Sequence, residues 1–287
     1  MSSEPLSISS DRAFSETSDP AAYVPRASTE TALESIRTWG ESDGEGSTLA
    51  ALIGQPGLGK TLLLRVTEAR VNGDASSGFA APTTPGVRAL YVPYGGLDLK
   101  DFCVWVYGLL GRGIRDGKVA PNEEEALAAM LALGRSGADP FYLLIDDADS
   151  MPESTIRLLA SGLPATESPL RILMALNSDS KASRLISQFI SLGPHEIRFS
   201  ERLSMEETTD YLAKRMRWAG FSEAAIGALP EDWIHRVHSL SSGVPRALHG
   251  LAARYFDDHL RGSVSDLDRK QQREDWMGRP IEDDLEV

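Results

Sequence analysis

Up to about residue 200 the chain alternates two kinds of apolar pattern. Short uninterrupted runs come first in kind: Leu49-Ala-Ala-Leu-Ile53, Val87-Arg-Ala-Leu-Tyr-Val92, Phe141-Tyr-Leu-Leu-Ile145 and Leu170-Arg-Ile-Leu-Met-Ala-Leu176. Such runs are expected of strands covered on both faces, as in a parallel sheet. Glu196-Ile-Arg-Phe199 reads as a last short strand. Between the runs, apolar residues recur at helical spacing. Ala32, Leu33, Ile36 and Trp39 mark a helix before the first strand, and Leu62 to Arg70 follows it as another. Leu99 to Leu110, Glu123 to Leu133 (behind Pro121 and Asn122), Pro152 to Leu159 and Ala182 to Ser191 complete the set. Strands alternating with helices predict an α/β fold, a parallel sheet flanked by helices with right-handed crossovers.

From Arg202 the pattern turns helical only. Ser204-Met-Glu-Glu207 is a capping box opening a helix that ends near Ala219-Gly220. Shorter helices are expected over 223–229 and 232–238, and a last one from Pro245 to Phe256. Four pieces result: a Ser- and acid-rich arm over 1–20 expected to be mobile, an α/β domain over 21–201, a small all-helical domain over 202–262, and an acidic, mobile tail over 263–287. Asn72 to Gly86, rich in Gly, Ser, Thr and Pro, is expected to be a surface excursion, and Gly40 to Gly46 an acidic loop.

Composition narrows the class. Of 287 residues, 41% are hydrophobic, enough for a packed core. The single cysteine, Cys103, sits in an apolar stretch and is expected in the core; it can form no internal disulfide. No apolar segment has the roughly 18 residues needed to cross a bilayer, and the N-terminus lacks a basic-then-apolar leader pattern. A cytoplasmic protein without membrane insertion is therefore expected. The net charge of −13 argues against broad attraction to nucleic acid and favours a protein partner over DNA.

One motif carries most of the chemistry. Gly54-Gln55-Pro56-Gly57-Leu58-Gly59-Lys60-Thr61 fits G-x-x-x-x-G-K-[ST] and lies between an expected strand and an expected helix that opens with Leu62. Glycines let backbone N–H groups turn inward around a phosphate chain. The helix N-terminus adds positive potential at the same place. Lys60 can reach the β- and γ-phosphates, and the Thr61 hydroxyl can ligate magnesium. The reading is a nucleoside triphosphate site, with no Asn-Lys-x-Asp segment to read guanine.

Two strand ends supply the rest. Phe141 to Ile145 runs into Asp146 and Asp147 at the sheet edge where ligands of open α/β sheets bind. Asp146 can hold Mg²⁺, and Asp147 can orient or deprotonate the attacking water. Asn177, after the next strand, offers a side-chain amide to the γ-phosphate or the water.

Taken together, Gly54 to Thr61, Asp146-Asp147, Asn177 and the helical segment opening Leu203-Ser-Met-Glu-Glu resemble the AAA+ ATPases, over roughly Tyr23 to His259. Within that superfamily, Leu203, Glu206-Glu207-Thr208, Tyr211, Arg215, Ala219-Gly220 and Ser242-Gly-Val-Pro-Arg246 are similar to the ExeA-type secretion ATPases and to ATPases that target DNA transposition. The resemblance implies that the helical domain is a lid, that Asn177 is the first sensor of the γ-phosphate, and that Arg246 is the second, aimed by Gly243 and Pro245. It also implies that Tyr23 to Arg26 lies over the adenine, that the nucleotide is ATP, and that the ATP-bound protein is a homo-oligomer.

There are departures. Asp147 stands where the family has Glu, which draws the carboxylate back by about 1.5 Å; slow turnover is the expectation. The arginine that would complete a neighbour's site is Arg184, with Arg198 and Arg202 as other candidates. The membrane span and wall-binding region of ExeA-type proteins have no counterpart in this sequence. The expectation is a Mg²⁺-dependent ATPase acting as a nucleotide-controlled switch on an assembly or partner. The alternative is an ATP-dependent DNA- or protein-binding recruitment module with slow or no hydrolysis.

Overall fold

A computed structural model describes residues 10–42, 47–73, 88–110, 122–132, 140–163 and 170–256. The excursion expected over 72–86 lies almost entirely outside the described residues, as do the tail over 263–287, Pro121 and most of the acidic loop after Gly40. The chain divides into two units, Ser18–Glu201 and a second made of Met1–Thr17 with Arg202–Val287.

Unit Ser18–Glu201 is built on five strands, β1 Leu49–Gly54, β2 Ala89–Val92, β3 Phe141–Ile145, β4 Leu170–Asn177 and β5 His195–Arg198. All pairings are parallel, in the order β2-β3-β4-β1-β5. The uninterrupted apolar runs follow from this: each central strand supplies two cores by turns. Leu49, Ala51 and Ile53, with Leu143, Ile145, Ile172, Met174 and Leu176, point to one face. Ala50 and Leu52, with Tyr142, Leu144, Leu173 and Ala175, point to the other.

The first face is covered by α4 Leu99–Leu109, α5 Glu123–Leu131, α6 Glu153–Gly162 and α7 Ser180–Gln188, through Phe102, Cys103, Val106, Met130, Ile156 and Leu185. The second is covered by α2 Ala27–Gly40 and α3 Lys60–Gly73, through Leu33, Ile36, Leu63 and Leu64. Asn122 caps α5 by accepting from the Glu125 N–H at 2.9 Å. A charged residue interrupts β4: Arg171 is buried, and its guanidinium donates to the Ser42 carbonyl at 3.0 Å.

The second unit contains α1 Ser10–Phe14, α8 Met205–Ala219, α9 Glu223–Gly227, α10 Glu231–Ser241 and α11 Pro245–Tyr255. The capping box of α8 is formed: Ser204 Oγ accepts from the Glu207 N–H at 3.1 Å, and Glu207 Oε2 accepts from the Ser204 N–H at 2.9 Å. Gly220, at φ 93°, ends the helix.

The arm expected over 1–20 needs correction. Within it, Ser10–Phe14 is helical, and Ala13 and Phe14 are buried. The Phe14 ring lies 6.5 Å from Trp233 and 5.9 Å from Phe256. Arg215, itself buried, donates from Nε to the Ala13 carbonyl at 2.9 Å and from a terminal nitrogen to the Ser15 carbonyl at 3.0 Å. A five-residue helix has no room to show a period, so nothing local announced it. Among the described residues, no helix is long and apolar enough to cross a membrane.

Candidate functional site

β1 delivers the chain to the sheet edge at Gly54, which is buried, and α3 starts six residues later at Lys60. The intervening turn uses left-handed backbone at Gly57 (φ 82°) and Gly59 (φ 104°), conformations that cost a side-chain-bearing residue dearly. Between them Leu58 is buried in the core on the α2 and α3 side of the sheet, which pins the loop while Gln55 and Pro56 stay exposed. The Leu63 N–H donates to the Gly59 carbonyl at 3.0 Å, so helical bonding begins within the loop itself. Thr61 and Leu62, on the first turn, are partly exposed.

The Lys60 ammonium donates to the Gly54 carbonyl at 2.8 Å, the Gln55 carbonyl at 3.2 Å and Asn177 Oδ1 at 2.9 Å. Register explains the last contact. Gly54 is the register partner of Asn177 in the β1–β4 ladder, so the start of the loop and the end of β4 leave the sheet together. Two residues 117 positions apart thus meet at one cation.

β3 ends two strands away from β1, with β4 between them. The Asp146 N–H still donates to the Val92 carbonyl at 2.8 Å. Its carboxylate accepts from the Tyr91 hydroxyl at 3.0 Å and from the Asp147 N–H at 3.0 Å. Burial, reinforced by the Asp146 charge, raises the Tyr91 pKa, so Tyr91 stays a donor.

Asp147 takes left-handed backbone, φ 48° and ψ 40°, and is exposed; its Oδ2 accepts from Ser150 Oγ at 2.9 Å. Short polar side chains tolerate this conformation better than long ones, a physical reason for Asp rather than Glu here. The turn continues as a single 3₁₀ turn, Ala148–Ser150, and Asp149 Oδ2 accepts from the Asn177 N–H at 2.8 Å. Burial raises the Asp149 pKa against the pull of that N–H and of Lys60.

The remaining sequence candidates have other partners or exposed side chains. Arg246 is on the first turn of α11 and pairs with Glu16 at 3.1 Å, both more than half exposed. The turn before it is left-handed at Ser242 (φ 52°) and Gly243 (φ 70°), and a Cβ at Gly243 would meet the Leu203 carbonyl at 2.2 Å. Arg184, on α7, is 76% exposed and 4.0 Å from Glu153. Arg198 pairs with Glu196 at 2.6 Å, and Arg202 is exposed. Tyr23 is tied to α2, its hydroxyl 2.7 Å from Thr29 Oγ1 and 2.8 Å from Glu30 Oε1.

Sequence reasoning passed over Tyr91, Asp149 and Ser150. Asp149 had a signal of a kind, a third carboxylate in Asp146-Asp147-Ala148-Asp149, but an acidic turn explains that equally well. Among the described residues, no group of three or more His, Cys, Asp or Glu is arranged to hold a metal ion.

The AAA domain family model matches residues 43–198, more than half of the chain. No curated protein matches in sequence. Among solved structures, Cdc6p from Pyrobaculum aerophilum is similar with a TM-score of 0.58 and 21% identity, over 85% of this chain and 63% of that one. The Drosophila ORC structure bound to DNA is similar with a TM-score of 0.60 and 15% identity, over 92% of this chain and 64% of that one. The chain thus spans less than two thirds of either neighbour, and the likeness to them is one of fold. The matched segment contains the phosphate loop, the carboxylates ending β3 and the asparagine ending β4. This chain belongs to the AAA domain family, AAA+ P-loop ATPases.

Proposed function

We propose that this chain is a magnesium-dependent ATPase whose nucleotide state switches an assembly or a protein partner. The observation that carries the reading is the Lys60 ammonium, held between the loop carbonyls and Asn177 Oδ1 at the end of β4. A cation parked on neutral acceptors exchanges them readily for phosphate oxygens, because an anionic acceptor adds charge–charge attraction to the hydrogen bond. The same exchange frees the Asn177 amide to turn towards the γ-phosphate or the attacking water.

The other roles follow by position. Backbone N–H groups of Gly57 to Thr61 face a triphosphate, at the N-terminus of α3. Thr61 and Asp146 hold magnesium, which supplies charge neutralisation on the phosphate oxygens. Asp147 takes the proton of the attacking water. By the family resemblance Arg246 is the second γ-phosphate sensor, and Arg184 serves a neighbouring subunit. The lid pattern from Leu203 to Arg246 supports kinship with ExeA-type and transposition-targeting ATPases, with no role in secretion carried over.

One observation favours the second reading, a recruitment module with slow hydrolysis. Asp147 is short, and its carboxylate is already engaged by Ser150 at 2.9 Å. The Drosophila neighbour was solved with DNA, whereas the net charge of −13 favours a protein partner for this chain. Steady-state phosphate release, with ATP and Mg²⁺ and with or without duplex DNA, separates the two. Sustained release that EDTA abolishes supports the ATPase. Tight ATP binding without release supports the recruitment module, and absence of ATP binding refutes both.

A further inference from the structure

The alternation of hydrogen bonds along β4 leaves one donor to account for. The N–H groups of Ile172 and Ser178 donate towards β1, to the Thr48 carbonyl at 2.9 Å and the Gly54 carbonyl at 3.2 Å. In a parallel ladder successive residues face opposite neighbours, so the N–H of Asn177 faces the β3 side. There β3 has already ended, at Ile145. An N–H at the sheet edge, beside the lysine that reads phosphate, would have no ladder partner.

Asp149 fills that gap. The left-handed turn at Asp147 folds the chain back, Ala148 anchors it by full burial, and the Asp149 carboxylate arrives 2.8 Å from the Asn177 nitrogen. Its second oxygen, Oδ1, is buried with no hydrogen-bond partner among the described residues. A side chain kept at the cost of an unsatisfied buried oxygen is held there by its other contact. The consequence runs outward: Asp149 fixes the Asn177 backbone, Asn177 Oδ1 meets Lys60, and Lys60 meets the loop.

We propose that Asp149 is a positioning residue: by accepting the Asn177 N–H it holds the end of β4 so that the Asn177 amide is aimed at the phosphate site, acting through the hydrogen bond and not through its charge. This deepens the ATPase reading and rests on it for the effect on turnover; the effect on Asn177 itself stands independently.

The experiment compares the full chain with Asp149→Ala and Asp149→Asn. The asparagine keeps an acceptor oxygen and loses the charge. Asp149→Ala is expected to lower kcat about tenfold or more, since small misplacements at a reacting centre are costly. ATP affinity and KM should stay within about threefold, since the phosphate loop is untouched. Asp149→Asn should keep kcat within about threefold of the parent. Amide hydrogen exchange gives the second reading: at Asn177 it should quicken about tenfold in Asp149→Ala and stay near the parent rate in Asp149→Asn. Parent-like kcat in Asp149→Ala overturns the proposal, as does unchanged Asn177 exchange. An Asp149→Asn enzyme as slow as Asp149→Ala overturns it in favour of a charge role. A parent without ATP turnover refutes the ATPase reading alone, and Asn177 exchange then decides the positioning role by itself.

Discussion

Replacing Lys60 with Ala tests the centre of the site. The ammonium touches two loop carbonyls and Asn177 Oδ1 in this structure, all neutral acceptors. Their loss costs the fold little, because Lys60 is partly exposed, so water can replace the ammonium at these acceptors, and alanine is the better helix former at the head of α3. The triphosphate loses more. A charge-assisted hydrogen bond to a phosphate oxygen is worth about 1.5–3 kcal/mol, and every 1.4 kcal/mol is tenfold in Kd. One such bond lost weakens ATP roughly tenfold to a hundredfold, and two abolish measurable binding. The assay is titration of a fluorescent ATP analogue with Mg²⁺, run beside thermal unfolding of the same samples. A Kd within about threefold of the parent, in a variant that melts normally, would refute the assignment of Lys60 to phosphate.

Asp147→Asn should bind ATP as the parent does and lose phosphate release, since an amide accepts no proton; release at the parent rate places water activation elsewhere. Asp147→Glu should raise turnover by extending reach about 1.5 Å, while lowering stability by about 1 kcal/mol because a longer side chain sits less well in left-handed backbone; unchanged turnover means that reach is not limiting. ATP with Mg²⁺ should raise the mass seen by light scattering, with specific activity rising with protein concentration, and Arg184→Ala should flatten that rise while leaving ATP affinity alone; a constant monomer mass and constant specific activity would show that no neighbour completes the site. His249, buried beside the Tyr211 hydroxyl at 2.8 Å, has its pKa lowered to about 4, first by burial and then by Arg215. The unfolded chain therefore binds a proton that the folded helical unit refuses, so stability should fall as pH drops from about 6.5 towards 4, by up to about 3 kcal/mol. Melting temperatures of the parent and of His249→Phe across that range check it, and parallel slopes would refute it.

Much of the α/β unit was legible because its information is local. Each central strand carries both cores in five to eight residues, and each cap or loop residue acts within a turn of itself. The phosphate loop was legible for the same reason. What escaped depends on partners far along the chain. Phe14 has no meaning until Trp233 and Phe256 surround it. Arg171 reads as an anomaly in β4 until Ser42 offers its carbonyl. Asp149 looks like one more acid in a turn until the end of β4 presents an unpaired N–H. The Asp147 departure was visible as a letter, but its left-handed backbone was not.

The helical unit is interrupted in sequence by the whole of Ser18–Glu201, and this sets an order on biosynthesis. A ribosome releases α1 well before α11, so Phe14 leaves the exit tunnel long before Trp233 exists to cover it. The α/β unit is contiguous and can close as soon as β5 has emerged, in keeping with domains folding as units during synthesis. The helical unit cannot. At about 5–20 residues per second, Phe14 stays uncovered for roughly ten seconds or more on the nascent chain. In that interval it is a site that a holdase chaperone can occupy, until Trp233 and Phe256 emerge to cover it.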